Sequence, residues 1–294
     1  MNDTPRKLSG VLPMVLVTLR GGLGNQMFQY AIGRSIAEKH GRRLVLDDLA
    51  LEVEHLGRTK RSYALGVFDI DAELTSQVQL EQVQLEKAAT QALLMQELRG
   101  FHQEVLNAHP EAQLQLQGFW QNEKYFADIA PLLRGQFRMK PGPWDASPWR
   151  PAIETDSSAV CVHVRRQDYL KEAGAALGFI GRDYYERATT AIARAVPDCH
   201  FFFFSDDIPW CKENLSLGFP SSFVAHSDQR GDFTYTDFRL MTLCRHFIVA
   251  NSSFSWWAAW LGSDPRKIVI APKIWFRELP FASADIVPAA WLRM

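Results

Sequence analysis

The chain has 294 residues, enough for about two domains at roughly 150 residues each and for a core that needs no disulfide or metal staple. Hydrophobic residues make up 47% and charged residues 22%, which excludes a disordered chain. Lys plus Arg number 32 against 33 Asp plus Glu, a net charge of -1, so the basic excess of a general nucleic-acid binder is missing and only a local basic pocket is left.

No apolar run approaches the ~20 residues that span a bilayer. The longest early run, Val11 to Leu19, contains Pro13 and leads at once into Arg20-Gly21-Gly22. With no small-residue cleavage site, it reads as a first buried strand and not as a signal peptide. A Gly-rich turn (Gly21, Gly22, Gly24) follows the strand Val15–Leu19. Asn25 to His40 then has helical spacing, with Phe28, Ile32, Ile36 and Ala37 on one face. Leu44–Leu46 is a second strand, closed by Asp47-Asp48. Strand, turn, helix and strand open a parallel α/β sheet.

The stretch 72–117 fits helix and strand periods in different parts. It echoes Val78–Gln82 in Val83–Lys87, and two copies do not make a solenoid. Lys140 to Pro151 holds four prolines in twelve residues, which neither a helix nor a central strand can continue. It marks the expected boundary between domains at 1–150 and 151–294.

A second alternation follows. Strands are expected at Ala159–Val164, His200–Phe204, Phe223–Ala225, Phe247–Ala250 and Ile268–Ala271. Helices are expected at Tyr184–Val196, Thr236–Cys244 and Phe254–Leu261, the last capped by Asn251-Ser252-Ser253. The expected architecture is α/β, two Rossmann-like domains facing a cleft. Cys161, Cys199, Cys211 and Cys244 lack CxxC spacing and read as free buried thiols.

Ligands of such sheets bind at the carboxyl ends of strands, and four clusters lie there. Gly21–Gln26 lacks the G-x-G-x-x-G spacing of a dinucleotide loop; its glycines permit close backbone approach to a ligand, or simply make a tight turn. His163–Tyr169 places Arg165 and Arg166 directly after a buried strand, where forked, permanently charged donors suit a diphosphate and an Arg–Asp surface pair is the plainer alternative. Alternation along the strand points His163 and Arg165 one way and Arg166 the other. Asp206-Asp207 after four phenylalanines can hold a divalent cation, cap a helix or accept from sugar hydroxyls. Asn251–Ser253 sets short polar side chains at a helix start, where unpaired N–H groups and the helix dipole favour an anion. No Walker loop, zinc spacing or nucleophile elbow is present. Cationic side chains and a helix N-terminus after parallel strands suit a nucleoside diphosphate.

The segments Gly21–Ala31, His163–Tyr169, Phe204–Asp207 and Asn251–Leu261 resemble the α-1,2-fucosyltransferase family, glycosyltransferase family 11. Gly118–Gln121 with Tyr125-Phe126, and Ile270–Lys273 with Trp275-Phe276, extend the resemblance over nearly the whole chain, least in 72–112. The resemblance implies a GT-B fold and an inverting transfer of fucose from GDP-fucose to the 2-hydroxyl of a β-galactoside, with no cofactor and no metal. It implies acceptor binding in the N-terminal half and donor binding in the C-terminal half.

The catalytic residues it points to are Arg165, Asp168 and Asn25. Arg165 meets the charge growing on the β-phosphate, beside the N–H groups and hydroxyls of Ser252 and Ser253. Asp168 either accepts the acceptor proton or orients Arg165. The leaving phosphate can take that proton instead. Asn25 holds the acceptor hydroxyl or glycosidic oxygen. Donor contacts are expected from His163, Arg165, Asp237, Asn251, Ser252, Ser253, Phe254, Gly22 and Gly24, and acceptor contacts from Asn25, Gln26 and Gln121. Asp237 resembles the carboxylate that reads guanine in related enzymes; the alternative is a helix N-cap at Thr236 or Asp237. The family usually has Gly where this chain has Gln167, which costs energy if that position needs φ > 0. The expected setting is the bacterial cytoplasm, peripheral at most to the inner membrane, with no nucleic-acid partner and with self-association left open. Another GDP-sugar donor, or an inactive GDP-sugar or glycan-binding module, is the alternative.

Overall fold

The structure is a computed structural model that describes residues 14–51, 61–77, 93–97, 100–107, 113–166, 178, 180–215, 217–226, 233–277 and 283–294. It divides into two compact units. The first extends through Gly66 and takes in Ile70–Trp120 and Lys124–Gln136; the second holds Val67–Asp69, Gln121–Glu123 and Phe137–Met294. The Pro-rich stretch 140–151 lies inside the second unit.

The first unit is built on strands β1 (Met14–Thr18), β2 (Arg43–Asp47), β3 (Glu73–Leu74), β4 (Leu93–Gln96) and β5 (Leu114–Gln117), ordered β3-β2-β1-β5-β4. Every pairing is parallel. All five residues of β1 are buried, as expected of a central strand covered on both faces. Helix α1 (Leu23–His40) links β1 to β2. It packs closely because Gly33 has no side chain: a Cβ there would lie 2.6 Å from Val17 and 2.7 Å from Leu44.

The second unit carries β6 (Ala159–Val164), β7 (His200–Ser205), β8 (Ser221–Phe223), β9 (His246–Ile248), β10 (Val269–Ala271) and β11 (Leu292–Arg293), all parallel, ordered β11-β10-β9-β6-β7-β8. The other described helices of at least seven residues are α2 (Ala130–Gln136), α3 (Arg182–Ala195), α4 (Ile208–Asn214), α5 (Thr234–Leu243) and α6 (Ser253–Leu261).

All six residues of β6 are buried. Val160, Val162 and Val164 join Tyr185, Ile192 and Phe203 in one core cluster. His163 takes the opposite face, its ring 5.7 Å from Phe254 of α6. Phe254 in turn meets Phe238 of α5 edge-on at 5.3 Å. Phe68 packs against Phe137 and Phe238, and Phe137 against Trp257, so the short segment Val67–Asp69 belongs to this core.

Within 72–117, the described parts are β3, β4, β5 and a single helical turn, Gln103–Leu106. The repeated Val78–Lys87 segment lies outside the described residues. The strand expected at Phe223–Ala225 sits at Ser221–Phe223, and the one expected at Phe247–Ala250 at His246–Ile248. In both cases the apolar run continues past the last ladder pairing: Val224 and Ala250 stay buried beyond the strand end.

Candidate active site

Parallel pairing lines up the carboxyl ends of β6 and β7, with Val164 opposite Ser205. The two residues after each strand then face one another. Arg165 Nη1 lies 3.3 Å from Asp206 Oδ2, and Arg166 Nη1 lies 3.1 Å from Asp207 Oδ2. The Arg166 backbone N–H also donates to Asp206 Oδ1 at 2.9 Å. Arg166 lies over the Trp210 ring, 4.9 Å from its centroid. Trp210 packs on the core cluster that holds Val164, so Arg166 turns to the side opposite His163.

Asp207 caps α4, accepting the Trp210 N–H at 3.2 Å. Of the three uses open to Asp206-Asp207, helix capping falls to Asp207 alone, and each carboxylate faces an arginine. Among the described residues, no group of three or more His, Cys, Asp or Glu converges on a point. These ion pairs are part-exposed, so they add little stability; their consequence is geometric, since they fix where Arg165 stands.

His163 is 5% exposed, and its Nδ1 has no hydrogen-bond partner among the described residues. Burial, and then the Arg165 charge, push its pKa down to about 3. The imidazole is therefore neutral at physiological pH. Beside it stands the N-terminus of α6. Ser252 is the N-cap residue, and its side chain makes no capping hydrogen bond. Its own N–H donates to the Ala250 carbonyl at 2.8 Å, which corrects the expectation that this N–H meets an anion. The first-turn N–H groups of a helix have no partner within it, and here those belong to Ser253, Phe254 and Ser255.

Asn251 is buried, and its amide donates to the carbonyls of Gly178 and Trp275 at 3.1 and 3.2 Å. It braces two loops at the rim. The Tyr184 hydroxyl does similar work deeper down, 2.7 Å from the Val249 carbonyl and 3.0 Å from that of Ile270.

Helix α5 starts at Thr234 with Phe233 as its N-cap residue. Neither Thr236 nor Asp237 caps it, because the helix begins earlier than the hydrophobic spacing indicates. Asp237 lies in the first turn, with Oδ1 2.8 Å from His226 Nε2. The His226 ring stacks on Phe233 at 3.9 Å.

In the first unit, Gly21 has φ +74°, and a Cβ there would come within 2.4 Å of Asn25 Nδ2. Only glycine fits this turn. The Gly22 carbonyl accepts from the N–H groups of Asn25 and Gln26 at 3.0 and 3.1 Å. Asn25 is half-buried at the start of α1, and Gly24 is buried inside it.

Gln26 is fully buried. Its Nε2 donates to the carbonyls of Gly21 and Ser62, both at 2.9 Å, and its Oε1 accepts from the Ala64 N–H at 2.8 Å. Gln26 is therefore not an acceptor contact. It fastens the turn to the segment at 62–64. Gln121 is half-buried and groups with the second unit. Asp168 and Gln167 lie outside the described residues.

Two residues at the rim escaped the sequence reading. Gln29 is buried, accepts from the Arg20 N–H at 3.0 Å, and donates to the Gly118 carbonyl at 2.9 Å. A glutamine on the buried side of an apolar helix face was the available signal. The other is Glu97, whose carboxylate accepts the N–H groups of Phe119 and Trp120 at 2.7 and 2.8 Å. Nothing in its neighbourhood in the sequence marks it.

Residues 3–293 match the family described as Glycosyl transferase family 11. The chain belongs to that family. It is 31% identical over 304 aligned residues to an alpha-1,2-colitosyltransferase of Escherichia coli, covering 96% of this chain and 99% of that one. It is 30% identical to the O-antigen biosynthesis glycosyltransferase WbnK of Escherichia coli, covering 88% and 93%. Mouse galactoside alpha-(1,2)-fucosyltransferase 1 is 25% identical over 88% of this family 11 chain and 67% of its own. Among solved structures, the fucosyltransferase NodZ from Bradyrhizobium aligns with TM-score 0.52 at 17% identity, covering 88% and 96% of the two chains. Its fold, of GT-B type, is the one expected for family 11. Among the described residues, no helix is long and apolar enough to cross a membrane.

Proposed function

We propose that this family 11 glycosyltransferase moves L-fucose from GDP-β-L-fucose to the 2-hydroxyl of a terminal β-galactoside, with inversion to an α-1,2 linkage. The observation that carries the reading is the pair of arginines held at the end of β6, Arg165 by Asp206 and Arg166 by Asp207, in the unit that also holds the N-terminus of α6. The names of the relatives, an α-1,2-colitosyltransferase and an α-1,2-fucosyltransferase, support the linkage.

In the proposed reaction, the acceptor oxygen bonds to the anomeric carbon as the bond from that carbon to the β-phosphate oxygen breaks. Negative charge grows on the phosphate. In this reading Arg165 and the first turn of α6 meet it, which is the largest single contribution such a site can make. Ser252 and Ser253 offer hydroxyls there, and Phe254 and the neutral His163 form an apolar wall. Asn251 acts through the loops that it braces. Asp237 reads guanine, since one carboxylate accepts from both N1–H and the 2-amino group. In the first unit, Asn25 orients the acceptor hydroxyl, and Gly22 and Gly24 let the backbone come close. Gln121 is a further acceptor contact. The acceptor proton passes to Asp168 or to the leaving phosphate. Near-full turnover in Asp168→Asn would assign it to the phosphate.

A second donor has a specific observation behind it: the 31% identical relative is a colitosyltransferase, and colitose is fucose without its 3-hydroxyl. The test is an incubation with EDTA, GDP-fucose, GDP-colitose or GDP-mannose, and a set of β-galactosides, with the linkage read by NMR. An α-1,2-fucosyl galactoside formed with EDTA present is the expected product. A colitosyl product alone would move the reading to the second donor. Activity lost to EDTA and restored by Mn²⁺ would contradict the cationic site. No transfer from any donor would make the protein a binding module.

A further inference from the structure

The carboxyl rim of the first sheet holds a turn that the donor chemistry does not use. Just after β5, Gly118 has φ +154°, and a Cβ there would lie 2.3 Å from Glu97 Cβ. Trp120 has φ 55°, a left-handed backbone that a bulky residue adopts only under constraint. The Trp120 ring is fully buried, edge-on to Tyr125 at 5.7 Å, and its indole N–H has no partner among the described residues. Two unfavourable features are thus held in one turn.

What holds them is the Glu97 carboxylate on the N–H groups of Phe119 and Trp120, and the Gln29 amide on the Gly118 carbonyl. Because Gln29 also takes the Arg20 N–H, the turn is tied to the chain just ahead of Gly21. The visible outcome is an outward Phe119, 39% exposed. Among the described residues, no other aromatic side chain is as exposed.

We propose that Phe119 is the stacking platform for the acceptor pyranose, with Glu97 and Gln29 as positioning residues. The inference rests on the proposed β-galactoside acceptor and deepens it. In β-galactopyranose the axial 4-hydroxyl leaves the C–H bonds at C3, C4 and C5 together on one face. Those electropositive hydrogens suit the negative face of an aromatic ring. In the C4 epimer, β-glucopyranose, the hydroxyl is equatorial and that C–H patch is broken. Phe119 therefore contributes to the choice of galactoside over glucoside.

The test compares Phe119→Ala and Phe119→Trp with the wild type. Acceptor KM is measured at saturating donor, and GDP affinity by calorimetry. Phe119→Ala should raise acceptor KM about tenfold or more, with GDP affinity within about twofold of wild type, and its preference for galactoside over glucoside should fall. Phe119→Trp should keep acceptor KM near the wild-type value. A purely structural turn would give Ala and Trp variants with the same acceptor KM, and that result overturns the proposal. An Ala variant with wild-type acceptor KM overturns it equally. If the wild type uses only another sugar, the galactoside reading fails by itself, and the Phe119 platform is judged on the KM of that sugar.

Discussion

The ion pair between Arg165 and Asp206 is best understood by what it does not do. At 3.3 Å with side chains 29% and 17% exposed, it adds little to folding, yet it sets the guanidinium at a strand end. Asp206→Asn should therefore slow turnover by about tenfold, ~1.4 kcal/mol of barrier, while melting moves little. Circular dichroism and initial rates on the same preparation check both.

His163 gives a pH prediction. Its pKa is about 3 in the fold against an ordinary 6.5. Below the ordinary value the unfolded chain binds the proton and the folded chain does not, so stability falls as pH drops through that window. Relative to His163→Gln, the wild type should lose about 2 kcal/mol between about pH 7.5 and about pH 5 in denaturant titrations. An equal slope in both proteins would contradict the buried, neutral imidazole. The place of Arg165 and Arg166 at a strand end was legible in the sequence because two arginines follow a buried, mostly apolar strand. Their partners were not, since Asp206 and Asp207 follow a neighbouring strand and only the register of the two strands brings them together.

The elements were read well where one period dominates. Helix α1 and strand β6 sit where spacing and β-branched runs place them, because both are long and buried. The start of α5 was missed by two residues because Phe233, not a hydroxyl or carboxylate, is its N-cap residue. Gln26 was misread for a related reason: a polar residue in a glycine-rich motif looks like a ligand contact, and burial alone reveals it as a fastener. Tight packing of α1 on β1 and β2 gives a prediction that is independent of catalysis. Gly33→Ala forces a methyl against Val17 and Leu44 and should destabilise the fold by about 1–3 kcal/mol. A variant with unchanged midpoint in urea would show that the helix shifts away without cost.

At the far end of α6, Lys267 Nζ donates to the carbonyls of Ala259, Trp260 and Gly262 at 2.7, 3.1 and 2.7 Å. A cation there complements the negative end of the helix dipole, and the opposite end is the one to which the proposed reaction assigns the diphosphate.

For the molecule as a whole, two parallel sheets place their polar residues at strand ends, and the apolar residues between them carry the fold. The sheet order follows from pairings across long crossovers, which no local pattern encodes; β4 and β5, for instance, lie within the stretch 72–117, whose periods conflict. The fold is shared with a solved structure of 17% identity, and the proposed reaction assigns the chemistry to a few residues at strand ends, with Arg165 foremost. The decisive experiment is turnover by Arg165→Gln, with folding verified and EDTA present. A fall in kcat of about 10² to 10³, equivalent to about 2.7–4 kcal/mol, is expected if a fixed guanidinium receives the charge that departs with GDP. Turnover within about threefold of wild type, less than ~1 kcal/mol of barrier, would show that something else receives it.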